Sequence, residues 1–81
     1  VATWEETSRY FAVLQLRDMY AVLAKHEAHV AKTSAARMAL PPGSSRAKVT
    51  TANARWMRAC EARDRHEAAI RKVREEDRSL P

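Results

Sequence analysis

The sequence predicts an all-α fold, one long antiparallel hairpin of two helices, and three observations carry that prediction. Leu40-Pro41-Pro42-Gly43-Ser44-Ser45 is the one cluster of chain breakers, and it lies near the middle of the 81 residues. Its two prolines lack backbone donors and push the residues before them out of the helical region. The flanks contain no glycine, and no proline until Pro81, and are rich in Ala, Arg, Glu, Lys and Leu, the good helix formers. Large apolar residues recur at spacings of three and four on both sides of the break, whereas no stretch alternates polar and apolar with β-branched enrichment.

The first helix is expected over about 4–38. Thr3-Trp4-Glu5-Glu6 fits a capping box, in which the threonine oxygen takes an orphan amide and the glutamate three residues on reaches back. Glu5 and Glu6 suit the positive end of the helix dipole, and Lys32 and Arg37 the negative end. Val13, Leu16, Tyr20, Leu23 and Val30 make an apolar seam interrupted by Glu27. The turn falls at about 39–45. The second helix is expected over about 46–77, capped by Ser44 or Ser45, with a seam of Val49, Ala52, Trp56, Ala59, Ile70 and Val73 interrupted by Arg63. Each helix would be about 50 Å long at 1.5 Å per residue. Residues 1–81 then form a single helical-hairpin domain, with no internal repeat.

Composition narrows the function classes. Alanine supplies 16 of the apolar residues, and Leu, Ile, Val and Phe together number 13, so little of the chain can fill a core. No run of about 18 apolar residues is present to span a membrane, and no N-terminal stretch has the parts of a signal peptide. A lone cysteine forms no internal disulfide, and a single glycine builds no glycine-rich phosphate loop. The expected location is cytoplasmic.

The two helices are unequal. Within residues 10–23 only Gln15, Arg17 and Asp18 are clearly polar. At 100° per residue Val13, Leu16, Tyr20 and Leu23 form one stripe, while Trp4, Phe11 and Val22 lie on a second, well round the cylinder. Hairpin pairing sets residues 10–23 against about 62–75, which offer only Ile70, Val73 and alanines among many charges. A hairpin of this size buries too little to offset chain entropy comfortably. The expectation is self-association through the first helix, with Phe11, Val13, Leu16, Tyr20, Val22 and Leu23 as the association surface and Val49, Trp56, Ile70 and Val73 closing the hairpin. The simplest product is a homodimer, a four-helix bundle of two hairpins. A partner helix from another protein would satisfy the same physics. So would the remainder of a larger protein, since Val1 opens the chain as in a processed or excised piece.

Charge is segregated as well. The net charge is +5, and between Glu27 and Glu61 there is no acidic residue but six cations: Lys32, Arg37, Arg46, Lys48, Arg55 and Arg58. Folding at residues 41–45 gathers them toward the turn, where the second helix also presents its positive dipole end. Arg37, Arg46, Lys48, Arg55 and Arg58 are therefore candidate anion-binding residues, suited to a nucleic-acid backbone, an acidic protein face or anionic lipid. The plainer reading is a solvated charged face, and Trp56, on the seam, reads as core rather than as a base-stacking platform. No zinc-finger or helix-turn-helix pattern is present, so phosphate contact outranks base readout. Residues 61–78 instead mix signs, and Glu61–Arg65 and Glu67–Arg71 are spaced i,i+4 for weak surface ion pairs.

Sites of chemistry are poorly supported. His26 and His29 could join Cys60 around a zinc or copper ion if the rings converged, but a fourth ligand is missing. Cys60 and His66 diverge on one helix, and Asp64 and Glu67 lack a cleft. No catalytic, cofactor-binding or metal-ligating residue is assigned. Glu27 and Arg63 interrupt the seams, and Glu27 is expected to pair with a second-helix arginine and set the register. The expected function is a non-enzymatic helical oligomerisation or protein-interaction module. The second reading is a small basic nucleic-acid-binding accessory protein that grips phosphates with the turn end.

Overall fold

The computed structural model describes residues 3–76. Two helices, α1 (Trp4–Met38) and α2 (Arg46–Glu76), make up the secondary structure of the described residues, with no strand. Residue 77, the expected end of the second helix, lies outside the described residues.

Local chemistry accounts for each boundary. Thr3 is extended at φ −71° and ψ 163°, and its hydroxyl oxygen accepts from the Glu6 amide at 3.1 Å. The Glu6 carboxylate accepts from the Thr3 amide at 3.3 Å, which completes the capping box. The helix ends at Ala39, whose amide donates to the Ala35 carbonyl at 2.9 Å. Pro41-Pro42-Gly43-Ser44 then follows the pattern of a type II turn. The Ser44 amide donates to the Pro41 carbonyl at 3.1 Å, and Gly43 takes the positive φ of 84° that a side chain would resist. The Ser44 hydroxyl donates to the same carbonyl, at 2.6 Å. Ser45 is the residue that caps α2, its hydroxyl accepting from the Lys48 amide at 3.3 Å.

The helices pack antiparallel in a rod of 67 × 17 × 14 Å. Leu16 meets Ile70 near the free end, while Arg37 lies over Trp56 near the turn. Among the described residues Leu16, Ala59 and Ile70 are buried, at 3–5 % exposure. Ala12, Val13, Met19, Leu23 and Val73 pack around the Leu16–Ile70 pair. Ile70 and Val73 of α2 pack against the Leu16 stripe of α1, so that stripe closes the hairpin.

That packing corrects part of the expected association surface. Leu16 is buried inside the hairpin and cannot face a partner, and Val13 and Leu23 pack beside it. The expected closure set also changes. Ile70 and Val73 belong to it, Trp56 is half-buried, and Val49 is exposed. Among the described residues no helix is long and apolar enough to cross a membrane.

Candidate interaction surfaces

The first surface is apolar and lies along the N-terminal half of α1. Trp4, Tyr10 and Phe11 are 82 %, 62 % and 62 % exposed, and Tyr20 and Val22 are also exposed. Tyr10 and Phe11 pack edge-to-face, with ring centroids 5.8 Å apart. At 100° per residue Trp4, Phe11 and Val22 share one side of the helix, about a third of a turn from the stripe that meets α2. Phe11 and Val22 are thus the expected surface residues left uncovered on this side, extended by Trp4, whereas Tyr20, also exposed, lies on the opposite side of α1 and Tyr10 lies between. Tyr20 is tied at its polar tip, its hydroxyl accepting from Arg74 Nη1 at 2.8 Å. Met38, Val49 and Met57 are the exposed large apolar residues elsewhere.

The second surface is a groove between the helices toward the turn. Its volume is about 360 Å³, its walls carry Arg55 and Arg58 from α2 and His26, His29 and Thr33 from α1, and Ala59 and Ala62 line it too. A second depression of about 220 Å³ shares His29, Thr33 and Arg55 and adds Lys32, Ala36 and Ala52. The two therefore form one channel along α1 from residue 26 to 36. No carboxylate lines either part. A depression on α2 toward the free end differs: Glu67, Ile70, Arg71, Arg74 and Glu75 line it, with both signs of charge.

All five candidate anion-binding residues are exposed. Arg55 and Arg58 share the groove. Arg37 instead lies over the Trp56 ring, 4.4 Å from its centroid, a cation–π contact that holds the end of α1 to α2. Arg46 and Lys48 sit in the first turn of α2, which contains no acidic residue to offset the dipole. Lys32 joins the groove although it stands outside the expected set.

No family model, no curated protein and no solved structure matches the chain. The reading of these surfaces therefore rests on their own geometry.

The histidines are arranged differently from the metal-site expectation. His26 turns to His66, with ring centroids 5.3 Å apart and planes tilted by 48°, and His66 Nε2 lies 2.6 Å from the Met19 carbonyl, to which it donates in the matching tautomer. Among the described residues no group of three His, Cys, Asp or Glu side chains is placed to hold a metal. His66 is thus an inter-helix tie that sequence reasoning passes over. The signal is present, because the hairpin register sets residue 66 against residue 19.

The expected ion pairs also give way to another. Glu27 is exposed, and among the described residues the one ion pair is Arg63–Asp64 at 3.1 Å, between neighbours on α2. Neither Glu27 with an α2 arginine nor the pairs Glu61–Arg65 and Glu67–Arg71 form. Asp64 accepts from both Nε and Nη2 of Arg63. This hydrogen bond first, and then nearby negative charge, raises the Arg63 pKa above its ordinary value, so the charge in the α2 seam is held from solvent-facing neighbours rather than from α1.

Proposed function

We propose that the chain is a non-enzymatic helical assembly module, and that the N-terminal half of α1 packs against a second copy to form a dimeric four-helix bundle. The exposure of Trp4, Phe11 and Val22 along one side of α1, with Tyr10 packed edge-on to Phe11, is the observation that carries this reading. Scattered exposed apolar residues are ordinary on a protein surface, but a cluster of large aromatic ones beside a sparse core points to an interface. Antiparallel pairing of two α1 helices would bring the Trp4–Phe11–Val22 sides together, an isologous contact that closes at two chains. Each large side chain so covered contributes about 1.5–3 kcal/mol on full burial. The proposal includes a cytoplasmic setting, where a lone half-buried Cys60 thiol stays reduced.

Light scattering over a range of concentrations tests it. The expected mass is twice the 9.2 kDa of one chain, and replacing Phe11 and Val22 together by serine should return it to that of one chain. A single-chain mass for the unsubstituted protein at every concentration sinks the self-assembly reading.

A further inference from the structure

We propose that the groove between the helices binds the sugar–phosphate backbone of duplex nucleic acid, with Arg55 and Arg58 as phosphate forks on one wall and Lys32 as a point charge on the other. This goes beyond assembly and uses residues outside the apolar surface of α1.

Three features of the groove support an anion of this kind. The first is its single sign. The depression on α2 toward the free end mixes Glu67 and Glu75 with Arg71 and Arg74, whereas the groove toward the turn is lined by Lys32, Arg55 and Arg58 with no carboxylate. The one ion pair among the described residues lies elsewhere, at Arg63–Asp64. The cations of the groove therefore present their charge outward.

The second feature is donor geometry. Arg58 Nε donates to the Ala54 carbonyl at 3.4 Å, which steers the guanidinium and leaves its two terminal nitrogens for a ligand. A guanidinium fork matches a phosphate edge in two parallel hydrogen bonds. Exposed His29 can add a ring N–H. The Thr33 hydroxyl is already committed to the carbonyls of His29 and Val30, at 2.9 and 3.0 Å, so donation to the anion falls to the charged residues and the imidazole. Ala36, Ala52, Ala59 and Ala62 keep the lining low, so a phosphate can approach the forks.

The third feature is length. Arg46 to Arg58 along α2 spans about 18 Å at 1.5 Å per residue, and one strand of a duplex places a phosphate about every 3.4 Å along the axis. That stretch therefore faces about five phosphates. Lys48, Arg55 and Arg58 lie within about a quarter-turn of one another along it, while Arg46 lies on the far side of α2 at the N-terminus, whose dipole adds to the field. The alanine lining offers nothing to read bases, so the contact is to backbone and nearly independent of sequence. A membrane surface fits less well, because no large apolar side chain lines the groove to enter a bilayer.

The experiment is anisotropy of a labelled mixed-sequence duplex of 20 base pairs, titrated with the full chain at 50 and 150 mM salt. Two double variants are compared, R55Q/R58Q in the groove and R65Q/R71Q on the mixed-sign part of α2, which remove equal charge. The groove variant should lose about ten-fold or more in affinity, and its slope of log K against log salt should become shallower by about 0.9 for each phosphate no longer gripped. The other variant should stay within about two-fold of the parent. Circular dichroism checks that each remains helical. If R55Q/R58Q does not, K32Q on the facing wall replaces it, with an expected loss of about three-fold. Equal losses in the two double variants would mean attraction by net charge alone and would overturn the proposal. So would absence of duplex binding at 50 mM, or binding to phosphatidylserine vesicles without binding to duplex.

Discussion

The two ends of the hairpin are held together by different means. Toward the free end, Leu16 and Ile70 are buried and five apolar neighbours pack on them. Toward the turn, the groove is lined by alanines, and the inter-helix contacts that stand out are Arg37 over Trp56 and a rim of like charge. The free end needs apolar burial because nothing covalent joins the helices there. The turn end is joined by the short link Ala39–Ser45, with a hydrogen-bonded turn and a serine cap. Closing so short a loop costs little further entropy. That end can therefore accumulate Lys32, Arg37, Arg46, Lys48, Arg55 and Arg58 without compensating carboxylates. One end supplies cohesion and the other carries charge of one sign.

The sharpest way to break this contrast is to hollow out the free end. Leu16→Ala or Ile70→Ala should lower stability by about 2–5 kcal/mol, the usual cost of truncating a buried branched residue. In so sparse a core that loss should unfold much of the population at room temperature. The matched change at the other end, Arg58→Ala, should stay within about 0.5 kcal/mol, since it removes an exposed side chain and one 3.4 Å tether. Thermal melts by circular dichroism at one fixed protein concentration measure both, because an assembling chain melts at a concentration-dependent temperature. Comparable losses at the two ends would abolish the distinction.

Gly43→Ala asks whether the turn is what replaces burial at the basic end. No atom lies within 4 Å of the position a β-carbon would take, so the cost is conformational and comes from the φ of +84°. A loss of about 1–2 kcal/mol is expected, and Gly43→Asn should recover part of it, because asparagine tolerates that region better than alanine. A smaller effect comes from His66→Ala, which deletes the 2.6 Å tie to the Met19 carbonyl and should cost about 1 kcal/mol for the bond. Urea midpoints rank these variants, and a His66→Ala loss exceeding that of Leu16→Ala would shift the centre of cohesion from the apolar pair to the histidines.

The helices are legible in the sequence because their boundary signals are local. Thr3 and Glu6 are three residues apart, and the Pro-Pro-Gly turn needs no distant partner. The division of labour among the apolar stripes is harder to read. Spacing shows that Leu16 and Leu23 share a side, but an association surface and a hairpin seam have the same period. The folded hairpin decides it: Ile70 and Val73 pack on this stripe, which therefore turns inward. The basic end is legible as a charge gap between Glu27 and Glu61. Charge alone does not assign Lys32 to the groove, because a groove is made by two helices and α1 by itself marks no wall. The role of Arg37 is hidden for a similar reason. Its stack on Trp56 joins residues 19 apart in the chain, across the turn.

Glu27 marks the border between the two ends, and its substitution should have the smallest effect of all. A charged residue in an apolar seam suggests a buried partner, and pairing would make Glu27→Leu costly to register. In the folded hairpin Glu27 is exposed, and its nearest counterpart in kind, the seam arginine Arg63, is satisfied by Asp64 on its own helix. Removing an exposed carboxylate that has no ion partner among the described residues leaves no buried charge behind, so the change in stability should stay within about 0.5 kcal/mol, with the oligomer mass unchanged. What should change is the field. Glu27 is the last carboxylate before the cationic stretch and sits beside His26 in the sequence. Its loss raises the net charge of the chain by one, so duplex affinity, if the groove binds as proposed, should rise slightly at low salt and return to parental values at 150 mM, where the screening length is about 8 Å. A melt that shifts by several degrees, or a change in oligomer mass, would instead restore Glu27 to a structural role and erase the border it marks between a cohesive end and a charged one.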